Sequence, residues 1–276
     1  MLLLSLSTAF AGNLDPSSMK DWAGVTYTKQ GVVTEYYDTV VKQLGMSIRN
    51  RPHAPSSKGI HGFELSLQNN LSAIDSTDYS DGTPSPWHLS YSDEDAPPAL
   101  WIPSFIVKKG LPLSFEIGSQ AGLVIGDHGS VFGAYIRNSP FEGYAKAPDI
   151  AIQWGYAGYV SNIDMAVGVM DLTMSIGKEV PFGPLVGVNS SIFRPYVAAG
   201  MYWLRADPRL SDQEIARLGI GPVSSFAKSD YYTDGYQVFA WDLGFEVESN
   251  EIVFGLSASH SPGNLFSVQQ QIGFVF

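Results

Sequence analysis

The sequence predicts an all-β fold, a closed antiparallel transmembrane β-barrel of about ten strands, on three observations. Apolar and polar residues alternate with period two from Gly59 onward. Hydrophobic residues make up 45% of the chain and charged residues only 16%, yet no run approaches the roughly 20 apolar residues of a membrane-crossing helix. The alternating segments also exceed the about five or six residues usual in soluble sheets. They match the roughly 9 to 11 residues of a tilted membrane strand. Apolar residues that are abundant but interleaved suit strands with one face on lipid and the other on a lumen.

The alternation is sharpest in 236–248, where Phe239, Trp241, Leu243, Phe245 and Val247 interleave with Ala240, Asp242, Gly244, Glu246 and Glu248. An unpaired charge in an apolar medium is costly, so the carboxylates are expected inward and the aromatic side outward. Segment 113–120 sets Leu113, Phe115 and Ile117 against Ser114, Glu116, Gly118 and Gln120, and 192–205 repeats the theme around Arg194 and Trp203. Extended along the chain, the pattern predicts strands near 59–69, 99–109, 112–125, 130–139, 148–160, 163–178, 190–205, 236–248, 251–260 and 267–276. Trp101, Trp154, Trp203, Trp241 and Tyr156 are expected in the apolar belt or its aromatic girdles.

The connections give an independent check. With the first strand rising from the inner side, 70–98, 126–129, 161–162, 206–235 and 261–266 fall outside. The turns near 110–111, 140–147, 179–189 and 249–250 fall inside. Membrane barrels pair short inner turns with longer outer loops, and the two longest connections both land outside. The 179–189 turn is longer than that rule prefers.

Three parts follow. Met1–Ala11 has a short apolar core, Leu2 to Leu6, and an Ala9-Phe10-Ala11 cleavage pattern, and reads as a signal peptide truncated at its cationic end. Residues 12–58 form an N-terminal segment without alternation. In it Val33, Tyr36, Tyr37, Val40, Val41 and Leu44 mark an amphipathic helix, with Thr34 as cap and Gly45 as stop. This helix either packs on the periplasmic end of the barrel or plugs its lumen. Residues 59–276 form the barrel.

Several functions are excluded or disfavoured. The formal charge is −11 with 16 Lys and Arg, which argues against nucleic acid as a partner. Without cysteine there is no disulfide, thiolate metal site or cysteine nucleophile. His53, His61, His88, His128 and His260 are scattered without metal-binding spacing and are expected on the surface or in loops. No phosphate-binding or dinucleotide glycine motif occurs. His260-Ser261 lies at the outer end of a strand, but adjacent strand residues face opposite ways, which works against a catalytic relay. No catalytic set, metal site or cofactor is expected.

The inward faces carry Glu64, Glu116, Asp171, Asp242 and Glu246 against Arg137, Lys178 and Arg194. In a lumen only slightly wider than the eight-strand case these charges are expected to pair with one another, or to line a path for a small solute. The acidic loop 70–98 holds Asp75, Asp78, Asp81, Asp93, Glu94 and Asp95 without calcium-loop spacing, and is expected to be solvated. In 206–235, Ser211-Asp212-Gln213-Glu214 is a capping box ahead of Ile215, Ala216 and Leu218, with Gly219 as stop. It predicts a short helix lidding the outer mouth.

The final strand, Gln269 to Phe276, resembles the C-terminal recognition signal of bacterial outer-membrane β-barrel proteins. Ile272, Phe274 and Phe276 occupy its apolar positions, and Gln270 departs from it. The resemblance implies an outer-membrane location, contact with outer-membrane lipid and recognition by the barrel assembly machinery. Ser57 to Glu64, Lys109 to Pro112 and Arg194 to Gly200 are similar to uncharacterised proteobacterial barrel proteins, which implies the architecture and no substrate. Three functions are carried forward: a narrow pore or transporter for small solutes, a structural or interaction barrel with a packed lumen, and, remotely, a lipid hydrolase using His260.

Overall fold

Ten antiparallel strands close on themselves in the computed structural model, which describes residues 14–19, 27–80, 82–91, 96–127, 129–143, 147–160, 162, 165–182, 191–220, 223–224, 237–261 and 265–276. The expected signal peptide, Asp81, Asp93, Glu94, Asp95 and His128 lie outside the described residues. The barrel strands are β1 (Phe63–Ala73), β2 (Ala99–Gly110), β3 (Phe115–Leu123), β4 (Ser130–Asn138), β5 (Asp149–Val160), β6 (Met165–Gly177), β8 (Ser191–Pro208), β10 (Gln237–Ser249), β11 (Ile252–Ser261) and β12 (Leu265–Val275). Each pairs with the next, and β12 returns to β1 with Ile272 opposite Leu67. Among the described residues, closure pairs each of these ten strands on both sides.

The long strand β8 reaches past both of its neighbours. Short β7 (Val180–Phe182) continues the place of β6 beside Phe193, and short β9 (Val223–Ser224) continues that of β10 beside Ala206. Observed strand ends agree with the sequence reading to within a few residues except in β1. There the chain from Gly59 to Gly62 forms a turn, with Gly59 at φ +70° and the Gly62 N–H donating to the Gly59 carbonyl. The strand is therefore displaced to 63–73.

The two faces separate as the alternation requires. Along β10, Trp241 is 45% exposed and its neighbour Asp242 2%. Trp101, Phe132, Trp154, Tyr156 and Phe239 also point outward, so the apolar belt lies on the outer wall. One rim carries the long connections 74–98 and 209–236, and the other the tight turns at 111–114 and 250–251. Short turns mark the periplasmic end and long loops the extracellular end.

The interior differs from a uniformly charged lumen. Its outer half is apolar: Leu100, Ile102, Tyr159, Val167, Leu204 and Val238 point inward there and form one hydrophobic core. The strands lose their alternation at this level, because both faces are apolar. The inner half is polar, with Glu64, Glu116, Arg137, Asp171, Asp242 and Glu246 all buried.

What fills the outer half is helix α1 (Tyr27–Ile48). Tyr37, Val40, Val41 and Leu44 are buried against the wall, and every residue from Gln43 to Ser56 is buried. The helix thus sits in the lumen and not on the periplasmic end. It is longer than the sequence signals indicate, for two reasons. Thr34 is not a cap; its hydroxyl donates across to the Gly219 carbonyl. Gly45 is not a stop; a Cβ there would lie 2.5 Å from Leu204 Cδ2, so this glycine permits close approach to β8. The helix runs on because barrel amides serve its final carbonyls, Asn70 donating to Ser47 O at 2.6 Å and Gln120 to Ile48 O at 2.8 Å.

Candidate functional site

Beyond Ile48 the chain continues as an extended strap, residues 49–58, through the polar half of the lumen. Proline at 52 and 55 suits this path, since proline lacks the N–H a helix would use and biases its predecessor toward extended geometry. A buried strap must satisfy its polar groups, and the wall supplies the partners.

The contacts run in order down the barrel. Arg49 donates through Nη2 to Asp242 Oδ1 at 2.7 Å and Ser259 Oγ at 2.5 Å, and through Nη1 to the Tyr202 hydroxyl, with its guanidinium over the Tyr202 ring. Asn50 donates to Asp171 Oδ2 at 3.1 Å. Arg51 is held by neutral oxygens, Asn70 Oδ1 at 2.7 Å and the Ser267 hydroxyl. The Tyr196 hydroxyl donates to Pro52 O, and Ala54 N to Glu246 Oε1 at 3.1 Å. Arg137 donates to Ala54 O at 2.8 Å and Ser56 O at 3.0 Å while paired to Glu116 at 3.0 Å. At the inner rim Lys58 meets Glu64 at 2.8 Å, and Glu64 is shared with Lys108 at 2.9 Å.

Glycines in the wall match the strap. A Cβ on Gly155 would lie 2.7 Å from Asn50 Nδ2 and 2.8 Å from Asp171 Oδ2. Only a residue without a side chain leaves room for the Asn50–Asp171 hydrogen bond at that position. A small cavity beside the strap, lined by His53, Tyr196, Glu246, Ser257, Gln269 and Gln271, measures about 10 Å³. That is at or below the space one water molecule occupies.

The inward charges are thereby placed. Glu64, Arg137, Asp171, Asp242 and Glu246 contact the strap, and Glu116 reaches it through Arg137. Arg194 lies at the inner rim between Glu179 and Glu248, each at 2.6 Å. Lys178 lies beyond the end of β6, its side chain 35% exposed, donating to Ala147 O at 2.6 Å. Sequence reasoning did not single out Arg49, Asn50, Arg51, Lys58 or Lys108. It also expected His53 outside. His53 is buried with Nδ1 3.7 Å from Glu246, because the strap that carries it lines no surface. One signal was present: residues 49–58 hold three Arg or Lys and no carboxylate, in a chain with 27 Asp and Glu against 16 Lys and Arg.

Two short loop helices lie at the outer mouth. Helix α2 (Pro86–Ser90) buries Trp87, whose indole donates to Gln43 Oε1 of α1 at 2.5 Å. Helix α3 (Asp212–Leu218) has the expected Ser211 capping box and ends at Gly219 with φ 69°. Leu218 and Ile220 join the apolar core below. In the acidic loop Asp78 accepts from His88 Nδ1 at 2.9 Å. Burial and the Asp75 carboxylate raise the Tyr79 phenol to about 12, and burial with Asp127 nearby raises Tyr91 further. Both phenols are therefore neutral at physiological pH, and Tyr79 donates to Asp75 Oδ2 at 2.7 Å. No metal-holding group of His, Asp and Glu occurs among the described residues.

His260 and Ser261 face opposite ways. His260 stands on the lipid side against Trp241, and the buried Ser261 hydroxyl donates inward to Phe239 O. They form no relay. At the C-terminus Ile272, Phe274 and Phe276 all lie on the lipid face, and Phe276 exchanges both backbone hydrogen bonds with Phe63.

An even number of antiparallel strands closed around a filled lumen, belted with apolar residues, defines a bacterial outer-membrane β-barrel. No family model and no curated protein matches the sequence. Among solved structures it is similar to a KdgM porin in complex with disordered oligogalacturonate, at 6% identity and a TM-score of 0.35, over 77% of this chain and 99% of that one. It is also similar to the N-terminal β-barrel domain of OprF from Pseudomonas aeruginosa, at 10% identity and TM-score 0.29, over 77% and 97%. LpxR from Salmonella typhimurium matches at 11% identity and TM-score 0.34, over 76% and 99%. Likeness at this level carries no argument about activity.

Proposed function

We propose that this protein is a self-plugged outer-membrane barrel, closed to solutes, that works through what it holds and presents and not through transport. The observation that supports this reading is the strap at 49–58, which fills the polar half of the lumen and is bound to the wall through Arg49, Asn50, Arg51, Ala54 and Lys58. A packed interior is the ordinary state of narrow barrels. Here the packing is supplied by the chain itself. The test is conductance of the purified protein in planar bilayers. No stable current steps are expected above the lipid background; sustained open-channel current from the wild-type protein would restore the pore reading.

Two partners follow from the same reading. Lipid contacts the outer wall. The assembly machinery recognises the last strand through Ile272, Phe274 and Phe276, whose side chains stay outside the packed lumen and are free to be read before insertion. Phe276→Ala, which keeps both backbone hydrogen bonds to Phe63, is expected to lower the outer-membrane fraction of the protein without altering refolding in detergent. An unchanged outer-membrane yield would remove that role.

A further inference from the structure

The direction in which the N-terminal segment crosses the lumen has a consequence for where it begins. Leu14 is not near β1, although only 48 positions separate it from Gly62. Its backbone forms a bridge with Tyr91, its carbonyl accepts from Asn162 Nδ2 at 2.9 Å, and its N–H donates to Asp127. Asp15 N donates to Ser90 O at 2.7 Å, and the Ser18 hydroxyl to Leu89 O. Tyr91, Ser90, Leu89, Asp127 and Asn162 all belong to connections on the long-loop rim.

The contacts then descend in chain order. Thr34 meets Gly219 of the outer lid, and Gln43 meets Trp87 and Asp75 at the outer mouth. Arg49 and Asn50 meet Asp242 and Asp171 in mid-barrel. Ser57 meets Glu142 on an inner turn at 2.8 Å, and Lys58 meets Glu64 at the start of β1. The sequence of partners fixes one direction: in at the long-loop rim, out at the tight-turn rim.

We infer that residues 14–19 are held on the extracellular face, so that the barrel displays this part of its N-terminal segment at the cell surface while α1 and residues 49–58 run back through its lumen. A chain delivered from the periplasm would reach this state by carrying its N-terminal part outward through the barrel or by closing the barrel around it. The display role rests on the plugged-barrel reading for the strap's place in the lumen, but it is tested by side of exposure and not by conductance. A conducting barrel with an external Glu35 would refute closure alone; a silent barrel with a periplasmic Glu35 would refute display alone.

The chain contains no cysteine, so single-cysteine variants report one site each. Glu35→Cys lies on the exposed part of α1 at the outer end, Asp212→Cys on the exposed lid helix α3, and Leu113→Cys on an exposed inner turn. Intact cells are treated with a membrane-impermeant maleimide, before and after the outer membrane is permeabilised. Glu35→Cys and Asp212→Cys are expected to label in intact cells, and Leu113→Cys only after permeabilisation. Glu35→Cys labelling only together with Leu113→Cys overturns the inference, as does an inverted barrel in which Asp212→Cys is the protected site. A FLAG epitope inserted between Gly12 and Asn13 gives a second readout without altering any described residue. Antibody binding to intact cells supports display, and binding only after permeabilisation overturns it.

Discussion

Replacing Arg49 by methionine should be the most damaging single change in the strap. Both Arg49 and Asp242 have side chains 1% exposed, and their contact is 2.7 Å. Removing the guanidinium strands the Asp242 carboxylate in the lumen and takes a donor from Ser259 and the Tyr202 hydroxyl. Breaking one partner of a buried ion pair costs about 3–5 kcal/mol, most of it the desolvation of the charge left behind. Asp242→Asn should cost a similar amount for the mirror reason. The double variant removes both charges together, so its cost should fall well below the sum. That non-additivity separates an ion pair from two independent packing defects.

The assay is urea unfolding in detergent micelles followed by tryptophan fluorescence, with equal slopes required before midpoints are compared. In thermal terms the single variants should lose roughly 6 to 20 °C, at about 2–4 °C per kcal/mol for a protein of this size class. Glu179→Gln is the control. Glu179 is 39% exposed where it meets Arg194, so its loss should cost less than about 1 kcal/mol. The reasoning fails if the Arg49→Met and Asp242→Asn costs add to within about 0.5 kcal/mol in the double variant.

Other predictions follow from the packing. Leu44→Ala opens space in the apolar outer half of the lumen and should destabilise by about 2–5 kcal/mol in the same titration. Gly155→Ala places a Cβ 2.7 Å from Asn50 Nδ2, 2.8 Å from Asp171 Oδ2 and 2.9 Å from Tyr135 Cβ and should cost about 1–3 kcal/mol, of which adding Asn50→Ala should recover only a part, since it relieves one contact of the three. Leu243→Arg, at the centre of β10 on the lipid face, should cost roughly 2–4 kcal/mol on folding into vesicles; Ile252→Arg, beside the inner turn, should cost only about 0–1 kcal/mol.

The barrel was legible because lipid and lumen impose period two on most of the strand length, and β10 shows this most cleanly. It was least legible where the rule lapses. At Ala157 to Val160 and Met165 to Val169 both faces are apolar, because α1 makes the outer lumen as dry as the lipid side, so alternation fades there. The Ser211 capping box and its Gly219 stop were read correctly from local chemistry, since both partners of the cap lie within one turn. Gly45 was misread because a glycine letter serves equally for a helix stop and for close approach to Leu204. Arg49, Arg51 and His53 carried no positional signal: a strap without periodicity does not reveal which surface surrounds it.

Charge supplies what periodicity could not. Among the described residues the barrel strands bury six carboxylates (Glu64, Glu116, Asp149, Asp171, Asp242 and Glu246) and three cations (Lys108, Arg137 and Arg194). A wall with that imbalance in a low-dielectric interior is unfavourable alone, and the strap answers it with Arg49, Arg51 and Lys58. The complementarity has a direct corollary. A barrel from which the strap is withdrawn would present a net negative lumen, and any current it passed would be carried by cations. Charge reversal of the strap, as in Arg49→Glu, should therefore loosen the plug more than neutral Arg49→Met does. If bilayer recordings of Arg49→Glu show channels, their reversal potential in a salt gradient should report cation selectivity; anion selectivity would mean that the wall carboxylates do not face the path.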